Sequence, residues 1–214
     1  MAHPSQSAAT KPRLLLFPGS LRRDSHQRRL LDYLAVLLEG HCRIDLLAPD
    51  EVRLPLFNQD LERDADTMLE VMALHGRFRA ADALIVASPE YNGHVAPYLK
   101  NTVDWVSRVA RIDPRHAAVN PFRDKPLLLC SASTGWTGGV VGLQDARSIF
   151  AYLGCLVAGE QICVSDAEQW VQAGGFQFEP GFADYIQQAL ARFLALVARL
   201  QAGAAHAAAE AAHA

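Results

Sequence analysis

The chain has 214 residues, half of them apolar and a fifth charged, which is the composition of one globular domain with a core that needs no disulfide or metal. The formal net charge of −3 excludes general affinity for nucleic acid or an anionic membrane surface. No apolar run reaches membrane-spanning length.

Residues 1–11 read as a disordered lead without a secretory apolar core. A short buried strand, RLLLF at 13–17, precedes Pro-Gly punctuation. Leu30, Leu31, Leu34, Leu37 and Leu38 then recur at helical spacing, with Asp24 or Ser25 as the start and Asp24–Gln27 at capping-box spacing. A second strand spans 42–47, a proline-bearing loop follows, and a helix is expected over 67–79. DALIVAS at 82–88 is a third buried strand, 89–95 a loop and 98–109 a helix. The stretch 111–124, with Pro114 and Pro121, reads as an excursion. PLLLCSA at 126–132 is a strand, 133–139 a glycine-rich loop, 143–153 a helix, 156–164 a strand and 182–200 the closing helix. The Ala-rich end, 201–214, either extends that helix or frays.

Strand–helix alternation with strands apolar throughout predicts a parallel sheet covered on both faces: a doubly wound α/β domain over residues 12–200. Ligands of such folds bind beyond the carboxyl ends of the strands. Three loops fall there, 18–25, 89–95 and 133–139, all rich in Gly, Ser, Thr, Asn or Pro. The first opens a helix, whose free N–H groups favour an anion. Ser20 and Ser25 add hydroxyls and Arg22 a charge-assisted donor, a set that suits phosphate. Neither a Walker loop nor G-x-G-x-x-G is present. In the second loop Tyr91, Asn92 and Gly93 combine an aromatic edge with closely approachable backbone. The third offers Ser133 and Thr134 among glycines. Each loop alone is equally an ordinary cap or connector, and only their coincidence marks a site.

Arg23, Arg28 and Arg29 read as solvated charge, Trp105 as core and Trp136 as exposed. Cys42, Cys130, Cys155 and Cys163 show no metal-type spacing and read as free thiols of a reducing cytoplasm. His26, His75, His94 and His116 read as scattered polar residues, His94 close to the second loop. No metal site, nucleophile elbow or catalytic triad is expected.

Together the motifs resemble a known family. "GSLRRDSHQRRL" (19–30) resembles the G-S-x-R-x-x-S-x-N-x-x-L phosphate loop of the NADPH-dependent FMN reductases. "SPEYNGHVAPYLKNTVDWVSR" (88–108) resembles their P-E-Y-N…P…L-K-N-x-x-D-W motif, and "SASTGWTGG" (131–139) their third loop. "LPLFNQDLE" (54–62) resembles a further segment. The resemblance implies a flavodoxin-like fold of sheet order 2-1-3-4-5. It implies bound FMN, NADPH or NADH as co-substrate, and ping-pong delivery to a quinone, azo compound or free flavin. It also implies a homodimer or homotetramer. Carried over, Gly19, Ser20, Leu21, Arg22 and Ser25 would hold the FMN phosphate, with Gln27 where the family has Asn. Pro89, Glu90, Tyr91, Asn92 and Gly93 would border the isoalloxazine, with Ser133 on its other side. Val141 stands where many members carry Arg. No protein acid, base or nucleophile is required, since the redox chemistry is the cofactor's. A non-catalytic flavodoxin-type electron carrier or an FMN-binding partner protein is the alternative, disfavoured because carriers are strongly acidic around the flavin and this chain is nearly neutral.

Overall fold

A computed structural model describes residues 11–113, 115, 120–172 and 175–213. Residues 1–10 of the expected lead lie outside this range, as do His116 and part of the 111–124 excursion.

Five strands form one parallel sheet: β1 (Arg13–Pro18), β2 (Arg43–Leu46), β3 (Ala83–Ala87), β6 (Pro126–Ala132) and β7 (Leu156–Val164). Their order is β2-β1-β3-β6-β7, which is 2-1-3-4-5 counted over sheet strands. The three central strands, β1, β3 and β6, are apolar without alternation because both faces are covered, whereas the edge strands β2 and β7 carry polar residues and are only partly buried. Leu14, Leu16, Ile85, Leu128 and Cys130 face α1 (His26–Leu38) and α5 (Pro180–His213). Leu15, Phe17, Leu84, Val86 and Leu129 face α2 (Ala65–Ala80), α3 (Pro97–Ile112) and α4 (Val140–Tyr152). Trp105 is fully buried in a satellite cluster with Val71 and Val109, as its reading as core required.

Several boundaries differ from the sequence reading, each for a local reason. Ser25, not Asp24, caps α1: its Oγ accepts from Arg28 N, and its extended backbone ends the loop. The Asp24–Gln27 capping box does not form, because the Gln27 side chain crosses to β6 instead. Helix α2 starts at Ala65 because Asp64 caps it through Thr67 N. The loop 89–95 contains a small antiparallel hairpin, β4 (Glu90–Tyr91) and β5 (His94–Val95). Its turn residues Asn92 and Gly93 both have positive φ, 53° and 75°, as a two-residue primed turn requires. A second hairpin, β8 (Val171–Gln172) with β9 (Gly175–Phe176), follows a 3₁₀ turn at Ala167–Trp170. Helix α5 continues through the Ala-rich stretch to His213. Cys42, Cys130 and Cys155 are buried free thiols, and Cys163 is half-buried.

The L-K-N-x-x-D-W segment has a structural use on α3. Asn101 Oδ1 accepts from Phe57 N at 2.6 Å and its Nδ2 donates to Pro55 O at 2.9 Å. Trp105 Nε1 donates to the same carbonyl at 2.8 Å. These bonds satisfy the backbone of the 54–57 stretch, which has no strand partner, and so fix the long loop before α2.

Candidate active site

The carboxyl ends of β1, β3 and β6 converge on one cleft of about 200 Å³. Ser20, Arg22, Ser25 and Gln27 line it from the first loop, and Pro89, Glu90 and Tyr91 from the second. Ser133 and Thr134 close it from the third. Eight of the twelve site residues expected from sequence therefore share this lining. The other four frame it. Gly19 lies behind the wall, Leu21 is exposed in the first loop, and Asn92 and Gly93 form the hairpin turn.

Gly19 must be glycine because chains pass close there. Its N–H donates to Ala87 O at 2.7 Å, and a methyl group would sit 3.1 Å from that oxygen and 3.4 Å from Leu99 Cβ. Beyond Gly19 the chain leaves the sheet and enters α1. Ser20 and Ser25 are buried, 4% and 2% exposed. Ser20 Oγ accepts from Arg22 N and Ser25 Oγ from Arg28 N. With those oxygens accepting, both hydroxyl protons are left to donate elsewhere. The first N–H groups of α1 open on the same side. Gln27 is buried, and its Nε2 donates to Ala132 O at 2.7 Å, tying α1 to the end of β6. This amide has a second N–H.

The second loop is clamped by its own carboxylate. Glu90 Oε2 accepts from Gly142 N at 2.9 Å, in the first turn of α4. The cap position of that helix is Gly139, which has no side chain to do this. A carboxylate 52 residues away thus supplies the missing cap and fastens the β4–β5 hairpin to α4. Gly142 is needed for the approach, since a methyl group there would lie 2.9 Å from His94 O and 3.2 Å from Glu90 Cβ.

Three lining residues were not assigned to the site from sequence: His26, Ala132 and Glu168. The His26 Nδ1 atom is buried with no hydrogen-bond partner among the described residues. Burial chiefly, then the positive charges of Arg29 and Arg22, hold the imidazole below its ordinary pKa, and Glu168 alone opposes them. Glu168 comes from the 3₁₀ turn just after β7. Its position beyond the fifth strand is the signal that could have found it. The loops around the cleft carry exposed apolar side chains: Leu21 in the first, Tyr91 in the second and Trp136, 84% exposed, in the third, with Val140 and Val141 in the first turn of α4. Arg28 pairs with Asp32 on the surface, and Arg29 faces a different cavity, beside β8 and β9. Among the described residues no three His, Cys, Asp or Glu side chains gather as a metal-binding cluster, and no helix is long and apolar enough to cross a membrane.

Buried hydroxyls with protons to give, a guanidinium and a helix N-terminus at one end of the cleft are a donor set with the chemistry to take a phosphate-type anion. A doubly wound parallel sheet of order 2-1-3-4-5 with such a cleft defines the flavodoxin-like class. Within that class, the profile of the NADPH-dependent FMN reductases matches residues 12–169, and the chain belongs to that family of oxidoreductases. It is 30% identical to an NAD(P)H-dependent FMN reductase of Pseudomonas aeruginosa over 190 residues, 88% of this chain and 97% of the relative. A 2-hydroxy-1,4-benzoquinone reductase of a Burkholderia species is 29% identical over 180 residues, 84% of this chain and 92% of the relative. Among solved structures, the flavoenzyme NAD(P)H:(acceptor) oxidoreductase FerB of Paracoccus denitrificans superposes with a TM-score of 0.73 at 25% identity, covering 88% of this chain and 98% of that one.

Proposed function

We propose that this protein binds FMN in the cleft and passes reducing equivalents from NAD(P)H to a quinone-type acceptor in a ping-pong cycle. The observation that carries this reading is the pair of buried serines whose oxygens are occupied and whose protons are not, set beside Arg22 at the mouth of α1. When bound, FMN supplies the redox chemistry, accepting a hydride from NAD(P)H and returning it to the acceptor.

The remaining work belongs to this chain. Ser20, Ser25 and Arg22, with the backbone N–H of Leu21, hold the phosphate, and Gly19, whose own N–H is given to Ala87 O, lets the chain turn tightly beneath it. The second N–H of Gln27 adds a donor from a side chain already fixed by Ala132. Pro89, Glu90, Tyr91, Asn92 and Gly93 present backbone to the polar edge of the flavin ring, and Ser133 stands on its other side. The Glu90–Gly142 bond keeps the hairpin from swinging as ligands exchange. The exposed apolar side chains of Leu21, Tyr91, Trp136 and Val141 suit a flat, weakly polar acceptor such as a quinone over an anionic one. Exposed Val140, Val141, Tyr152 and Leu156 support assembly as a homodimer or homotetramer. Free cysteines suit a reducing compartment such as the cytoplasm.

The test is an FMN titration followed by anaerobic NADPH. Wild type should quench FMN fluorescence on binding, and the yellow complex should bleach within seconds of NADPH addition. Arg22→Ala should weaken binding by about 1.5–3 kcal/mol, the scale of a charge-assisted hydrogen bond. Arg29→Ala should change it little. A complex that binds FMN without bleaching is a carrier. A protein that takes up no FMN, or equal effects at Arg22 and Arg29, overturns the reading.

A further inference from the structure

We infer that His94 donates the proton that completes quinone reduction, held for that task by Asp145; this rests on the reading above. Hydride transfer brings a quinone two electrons and one proton, and the product needs a second proton. The hairpin places a donor for it. Tyr91 and His94 are direct partners in the β4–β5 pair, so their side chains leave the same face with Cβ atoms roughly 5 Å apart. Tyr91 lines the cleft, and His94, outside that lining, is its cross-strand neighbour on the same face of the hairpin, within reach of an acceptor stacked against Tyr91.

His94 Nδ1 lies 2.5 Å from Asp145 Oδ2, on the second turn of α4. A carboxylate accepts, so Nδ1 carries the shared hydrogen and Nε2 is the free nitrogen. The side chain is 76% exposed, which leaves Nε2 open to acceptor and solvent. Asp145 is a positioning residue: its carboxylate holds Nδ1 and with it the orientation of the ring. The frame is firm, since the Glu90–Gly142 bond fastens the same hairpin to the same helix. Glu90, the one carboxyl group of the hairpin, is engaged in that bond.

The step balances. Hydride delivery leaves the hydroquinone monoanion, with its negative charge on a ring oxygen. The donor is the doubly protonated ring: its Nε2–H bond breaks as that oxygen takes the proton, and the electron pair stays on Nε2, leaving the neutral ring with Nδ1–H on Asp145. A proton from solvent then restores Nε2–H, so the cycle consumes one proton per quinone. A simple clamp of hairpin to helix is the competing role, and an exposed pair of this kind is worth little to stability.

Ferricyanide separates the two, because it takes one electron at a time and no proton. The measurement is the ratio of benzoquinone to ferricyanide turnover with NADPH in the FMN-loaded protein. His94→Asn keeps a donor where Nδ1 stands but removes Nε2, and should lower the ratio at least about tenfold, below the usual range for general acids because the rim is open to water. Asp145→Asn should lower it in the same direction by less. A ratio unchanged in His94→Asn overturns the inference, whether both rates hold or both fall together. Failure of the functional reading is seen separately, as wild type that neither binds FMN nor bleaches with NADPH.

Discussion

Gly139 closes the third loop where it turns into α4, and replacing it with alanine tests how tightly that loop is seated. Its φ is +84°, in the left-handed region, where a side chain costs about 1 kcal/mol. A methyl group there would lie 2.0 Å from Ser131 Oγ and 2.9 Å from Ser131 Cβ. Ser131 belongs to a strand buried along its whole length and cannot move aside, so the overlap adds about 2 kcal/mol of overpacking. Gly139→Ala should therefore destabilise the apoprotein by about 3 kcal/mol. Ser131 Oγ has no hydrogen-bond partner among the described residues, so removing it leaves nothing unpaired. Ser131→Gly should cost only about 1 kcal/mol, for glycine in a strand. The double variant relieves the overlap and keeps the two smaller costs, giving about 2 kcal/mol in total. The coupling in a double-mutant cycle is then about −2 kcal/mol, well outside the few tenths expected for independent sites. Equilibrium urea unfolding of the four proteins measures it. Costs that simply add would refute the contact as the reason for glycine.

Two further predictions concern the first loop. Gln27→Leu removes the bond to Ala132 O and leaves a buried carbonyl unpaired, so it should cost about 1–3 kcal/mol in urea unfolding. It should also weaken FMN binding more than Val36→Ala, a change at an exposed position of the same helix; equal FMN affinity in Gln27→Leu and wild type would remove Gln27 from the site. His26 is held below its ordinary value of 6.5, so the unfolded chain binds the proton more tightly than the folded one. Its contribution to stability is present above 6.5 and is lost as pH falls through the folded value. A phosphate dianion among Ser20, Arg22 and Ser25 adds negative charge nearby and should raise the His26 pKa when FMN binds, read as a shifted NMR titration of its ring. An unmoved titration would place the phosphate elsewhere.

The elements whose bounds match the sequence reading are β6 and β7, at 126–132 and 156–164. Each starts and ends on apolar residues beside punctuating ones, β6 as a fully buried run and β7 with Gly159, Glu160 and Gln161 in its middle, so the flanking pattern suffices to bound them. The hairpin at 90–95 was legible too, in its Asn92-Gly93 pair, but two-residue strands carry no periodicity and the stretch reads as a loop. Of the two alternatives for the Ala-rich end, extension of α5 is the one observed, because alanine favours helix even with little packed against it.

Chemistry-bearing residue types, their order and the loops that carry them are properties of local sequence. Small residues and hydroxyls at strand ends, with a cap three residues before an N–H it accepts, need no distant partner to be recognised. Which loops meet is another matter. Gln27 reaches Ala132 across 105 positions, Glu90 reaches Gly142 across 52 and His94 reaches Asp145 across 51. Those bonds exist only because β1, β3 and β6 lie side by side, and sheet order is set by packing both faces at once rather than by any one segment. The roles of Gln27, Glu90 and His94 were therefore decided by the tertiary structure, while the candidacy of Ser20, Arg22 and Ser25 was already written in the chain.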